Sequence, residues 1–344
     1  MNPFKNLQVK ATGIGSMPHK DISYICGFIL DNFPDLPFWP QLSRVDPHEN
    51  MLIQYSENIP CIFADLEKKG AYFDMSGDNQ QQLLEFYEKF TEGDFEYFRM
   101  SPEYAAGFYQ MLKQIDVKKA GILKGQVVGP LTFLASVQDK EGKLLLYNEE
   151  LSDAVTKALA MKAVWQAKQI IQVNKTPVIF FDEPYLASFG SAFCNLSKEK
   201  VISVINDVVE VVKTYVNISV GVHCCGNTDW PMMLETKMDI INFDFYGFGK
   251  YFILYPEAIK KFIDKGGMIA WGVVPTTEFD STCTQRVLLD KFQVALKELE
   301  KKGLNKQNIL DHSLFTPSCG MGTLDKSLAD EIVKITAEFA KMKI

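Results

Sequence analysis

The chain has 344 residues, 47% of them hydrophobic, a net charge of −7 and a pI near 5.3. No block of Lys and Arg stands out, which argues against nucleic acid or an anionic membrane as partner, and no apolar run approaches the ~20 residues of a membrane span. Seven cysteines, an odd number scattered along a large chain, fit a reducing cytoplasm better than a disulfide framework, and the first residues lack the apolar stretch of a signal peptide.

The predicted elements alternate. A short strand over 9–16 ends in the glycine turn Gly13-Ile14-Gly15-Ser16, and a helix over about 20–33 stops at Pro34. A proline-broken strand follows at 36–42, then a helix at 48–58, a hairpin at 60–75 and helices at about 78–91 and 101–115. The run 121–128 is a strand closed by Gly129-Pro130, and 150–173 is a long helix. Strands at 177–181, 217–222, 238–244, 268–274 and 314–319 alternate with helices at 199–215, 229–236, 255–264, 282–302 and 325–341. Eight strands, most followed by a helix, predict one α/β domain over 1–344. Its expected form is a single (β/α)8 TIM barrel with a hairpin insertion near 60–75.

Barrel enzymes carry their chemistry at the carboxyl ends of the strands. Here those ends deliver Gly13 to Ser16, Asp182 and Glu183, His223 and Cys225, Asp244, and Cys319 with Gly320. Side chains on a strand alternate between faces, so His223 and Cys225 point one way and Cys224 the other. Alone, His-x-Cys also reads as ordinary buried packing. Joined by Cys319 and an oxygen of Asp244 it reads as a tetrahedral site, and mixed sulfur and nitrogen donors favour Zn2+. Asp244 has a second reading, as a carboxylate capping the loop after its strand. Asp182 and Glu183 alone read as a solvated loop pair.

Ile14-Gly15-Ser16 with Pro18, Gly129-Pro130-Leu131-Thr132, Asp182-Glu183-Pro184, His223-x-Cys225 and Pro317-Ser318-Cys319-Gly320 occur in the order found in cobalamin-independent methionine synthase. The chain resembles the C-terminal catalytic barrel of that family, within the superfamily that includes uroporphyrinogen decarboxylase, over about residues 11 to 325. The resemblance implies that His223, Cys225 and Cys319 are zinc ligands and that Asp244 stands where the family has a glutamate ligand. It further implies that Ile14, Gly15 and Ser16 bind the carboxylate of homocysteine and that Asp182 receives its ammonium, with Asp46 or Glu49 sharing that role.

The implied reaction is methyl transfer to a zinc-bound homocysteine thiolate, giving methionine. The family carries a histidine after the strand equivalent to 268–274 to protonate a folate leaving group, and Trp271 to Glu278 has none. A methylcorrinoid, free or on a corrinoid protein, is therefore the expected donor. Transfer to coenzyme M is the nearest alternative; the acidic Asp182 and Glu183 count against its sulfonate. A zinc-binding barrel without turnover that partners a corrinoid protein is a reading of another class.

Overall fold

Two kinds of strand build this protein. The computed structural model describes residues 3–4, 7–8, 10–115, 120–192, 194–280 and 282–344. Strands β1 (Ile62–Asp65) and β2 (Gly70–Phe73) pair antiparallel. Strands β3 (Ile122–Val128), β4 (Thr176–Asp182), β5 (Ser219–Cys224), β6 (Ile240–Phe243), β7 (Met268–Val274) and β8 (Ser313–Pro317) form one parallel sheet in chain order. Helices connect them, as parallel neighbours require, and cover the sheet, so the strand bodies are buried on both faces and read as apolar runs.

The expectation of a single eight-stranded (β/α)8 barrel is corrected by this topology: among the described residues the parallel sheet has six strands. Val9, the start of the first expected strand, lies outside the described residues. The rest of 9–16, and 36–42, contribute isolated parallel bridges, Ala11 to Phe315, Ser16 to Gln41 and Phe38 to Lys124. The reason is local. Pro37 and Pro40 have no N–H to donate to a ladder. Gly13 accepts the Phe38 ring so closely that a Cβ there would stand 2.2 Å from it. These bridges still attach the N-terminal segments to the outer strands β3 and β8 through Lys124 N to the Pro37 carbonyl (2.8 Å) and Phe315 N to the Lys10 carbonyl (2.8 Å). Ile14 to Ser16 are thereby held beside the end of β8.

The two faces of the sheet bury different sets of side chains. Val127, Ile179, Phe181, Val220, Val222, Ile241, Phe243, Ile269, Trp271 and Phe315 belong to the large core under the helices. On the other face Ile122, Val178, Phe180, Ile240, Met268, Ala270 and Leu314 form a smaller cluster with Phe4 and Leu36. Period two along each strand makes the split. It also sends Lys124, Gln126, His223, Asn242 and Thr316, all buried, to the face of the smaller cluster.

Helix starts follow side-chain chemistry that satisfies otherwise unpaired backbone N–H groups. Asn148 caps the helix Glu149–Gln172, Ser197 caps Lys198–Tyr215 and Thr284 caps Gln285–Lys301. Three short helices were not expected from the sequence: Pro130–Ser136, Phe245–Phe252 and Lys306–Asp311. The expected helix over 48–58 reduces to Pro47–Glu49 and Met51–Gln54. No described helix is long and apolar enough to cross a membrane.

Candidate metal and substrate site

Cys225 follows β5 directly and Cys319 stands two residues past β8. Their thiols and the His223 ring meet, with one ligand atom from each lying within 4.8 Å of the others. Donors around a tetrahedral zinc are about 3.3–3.8 Å apart, so small side-chain rotations bring all three onto one ion. Cys224 faces the helix-side core, its thiol donating to the Gly226 carbonyl at 3.6 Å, with burial pushing that thiol up to about 12.

The tautomer of His223 follows from its neighbour. Asn242, its register partner on β6, directs Nδ2 to the Ala270 carbonyl (2.7 Å) and to Thr316 Oγ1 (2.9 Å). A carbonyl can only accept, so this end of Asn242 is its NH2 group and Oδ1 is left to face His223. His223 Nδ1, 2.6 Å from that oxygen, therefore carries the proton. Nε2 is then the nitrogen whose lone pair is open to a metal; it is buried and, among the described residues, has no hydrogen-bond partner. Burial works against protonation of the ring, yet the adjacent Cys225 sulfur and the Asp182 charge outweigh it and raise its pKa. The neighbouring Cys319 thiol and His223 ring pull the Cys225 thiol down to about 4, while closeness to Cys225, together with burial, pushes Cys319 up. The pair thus holds one thiolate, the form that binds metals.

These three residues share a cavity of about 320 Å3 with Ile14, Ser16, Gln41, Glu49, Asp182 and Gly320, among others. Asp182 Oδ1 is buried and, among the described residues, has no hydrogen-bond partner. Burial raises that carboxyl to about 6, against the pull of Lys124 and His223. Glu49 is wholly buried and already engaged, accepting from Leu42 N (2.5 Å) and Gly107 N (3.4 Å); burial raises it to about 7. Asp46 caps Pro47–Glu49 and bonds His48 Nδ1 at 2.7 Å.

The remaining candidates are placed differently. Glu183 does not line the cavity: its carboxylate accepts from Leu131 N (2.9 Å), Thr132 N (2.7 Å) and Thr132 Oγ1 (2.6 Å), closing the start of the helix Pro130–Ser136. Asp244 stands outside both the donor trio and the cavity lining. It caps Phe245–Phe252 by accepting from Gly247 N at 2.8 Å, the capping alternative noted from the sequence. Gly15 and Ser16 are tied to their surroundings by carbonyls: Gln41 N donates to Gly15 O (3.0 Å) and Met321 N to Ser16 O (2.9 Å). Among the described residues no hydrogen bond engages the N–H of Gly15 or Ser16. Two successive backbone N–H donors are thus left open to an acceptor.

Three residues escaped the sequence reading: Asn242, which orients His223; Gln41, which lines the cavity and donates to Gln54 Oε1 at 2.7 Å; and Lys124, wholly buried beneath the site. The available signal was a polar side chain at even spacing inside an apolar strand, Lys124 and Gln126 in one run and Asn242 two before Asp244 in another.

No protein-family model matches this chain, and no curated protein does. Among solved structures it is similar to one of the tandem GH20 catalytic modules of the pneumococcal exo-β-D-N-acetylglucosaminidase StrH, with 10% identity, a TM-score of 0.48, and coverage of 96% of this chain and 83% of that one. At that similarity neither fold nor activity carries over.

Proposed function

We propose that this chain is a zinc-dependent methyltransferase that moves a methyl group to the thiol of homocysteine, giving methionine, with a methylcorrinoid as donor. One observation carries the reading: the buried, partnerless Nε2 of His223 converges with the thiols of Cys225 and Cys319 on a cavity wall. Two sulfurs and one imidazole suit zinc, and three protein donors leave one tetrahedral position for a substrate sulfur. Bound there, zinc would present the substrate thiol as a thiolate near neutral pH.

The chain's own residues supply recognition. The unpaired Asp182 Oδ1 suits an ammonium group, and the free N–H groups of Gly15 and Ser16 suit a carboxylate. Homocysteine carries both; the sulfonate of coenzyme M brings no ammonium to Asp182, which disfavours that acceptor. Holding both ends of the acceptor fixes its sulfur for in-line attack on a methyl group.

The donor argument rests on a missing acid. Trp271 to Glu278 contains no histidine, and among the cavity-lining residues only His223 is one. A folate amine leaves poorly unless protonated, whereas the cobalt of a methylcorrinoid leaves with its electron pair and needs no proton. The test is metal analysis followed by methyl transfer to homocysteine from methylcobalamin and from methyl-folate in separate assays. Zinc at one per chain and turnover with methylcobalamin are expected. Wild-type protein that holds no zinc removes the mechanism; turnover with methyl-folate alone overturns the donor.

A further inference from the structure

Lys124 has no evident business where it is. It stands on the inner face of β3, wholly buried, among Ile122, Val178 and Phe180 of the smaller apolar cluster. Its ammonium lies 4.8 Å from the centre of the Phe180 ring. Taking a charge out of water is costly unless it is partnered, and an apolar side chain would suit this layer better. Two features of the site face the ammonium. Nζ donates to the Ile14 carbonyl at 2.5 Å, and the charge it interacts with is that of Asp182.

The contact with Ile14 has a geometric consequence. In a trans peptide the C=O and the next N–H point in opposite directions. Fixing the Ile14 carbonyl on Lys124 therefore turns the Gly15 N–H away from the ammonium. Among the described residues neither that N–H nor its neighbour on Ser16 has a partner. Lys124 uses one of the three bonds its ammonium can donate, and Asp182 Oδ1 has none. The lysine thus supports from below both groups that meet the charged end of an amino acid, without lining the cavity itself.

We propose that Lys124 is a positioning residue for the amino-acid end of the thiol substrate, setting the Ile14–Ser16 turn and balancing the Asp182 carboxylate before substrate arrives. This rests on the function proposed above and adds a residue to it. It predicts selectivity of effect: losing Lys124 harms recognition of the α-amino and carboxylate groups and leaves thiol chemistry intact.

The experiment compares Lys124→Met with wild type on two acceptors, homocysteine and 2-mercaptoethanol, which has the thiol but neither charged group. KM and kcat are read for each, together with bound zinc. For homocysteine, KM should rise about 10–100-fold, the scale of a lost charge-assisted hydrogen bond, with zinc content and 2-mercaptoethanol kinetics unchanged. Lys124→Gln, which keeps a neutral donor, should fall between the two and serves in place of Lys124→Met if that variant does not fold. Equal losses on both acceptors, or no loss on either, overturn the inference and leave the function standing. Wild-type protein that binds neither zinc nor homocysteine overturns both.

Discussion

Asn242 Oδ1 lies 2.6 Å from His223 Nδ1, and this one contact decides which ring nitrogen faces the two thiols. Groups that orient a metal-binding histidine typically change metal affinity 10–100-fold when removed. Asn242→Leu should therefore weaken zinc binding by about that factor while the fold persists. Competition with a chromophoric chelator measures it. Unchanged affinity would mean that the ring is oriented by something else.

The three thiols near the site should behave differently. Cys225→Ser and Cys319→Ser each remove a soft donor from the trio and should yield protein with less than one bound zinc per chain. Cys224→Ala, on the opposite face, should retain full zinc and lose only about 1 kcal/mol of stability, as moderate core changes do. Metal analysis of the three purified variants separates these outcomes.

Glu183 closes a helix start. Three donors converge on its two oxygens, and the amide of Glu183→Gln would turn an NH2 group toward one of them. Leaving a buried donor unsatisfied costs about 1–3 kcal/mol, so urea unfolding should show a lower midpoint by that measure, with zinc content preserved. A neutral result would show that the helix start has water or another acceptor within reach.

Burial lifts both Glu49 and Glu183 to about 7 from an ordinary value of 4.5. Between those values the folded chain keeps protons that the unfolded chain releases, so each group makes stability fall as pH rises through that window and level off above it. The expected signature is a stability difference, wild type minus Glu49→Gln, that is smaller at pH 7.5 than at pH 5. Denaturant titration of metal-free protein at both values checks it. A difference that grows with pH would mean that hydrogen bonds from Leu42 and Gly107, which favour the ionised form, outweigh burial.

Much of the local architecture was readable in the chain. Apolar runs marked β3 to β8, and period two separated Cys224 from its neighbours His223 and Cys225. Such features follow from a few consecutive residues. The prolines at 37 and 40 were equally visible, yet their effect depended on which neighbour would ask for the missing N–H, and the eight-strand expectation failed there.

The sequence by itself determined the donor types, the alternation that aims them and the apolar strands that carry them. Only the tertiary structure decided that Cys319 meets His223 across nearly a hundred residues, that Asp244 and Glu183 close helix starts, and that Asn242 and Lys124 stand behind the site. A carboxylate near a strand end can be claimed by a substrate, a metal or a helix start. Which of these wins depends on the backbone N–H groups that folding brings beside it.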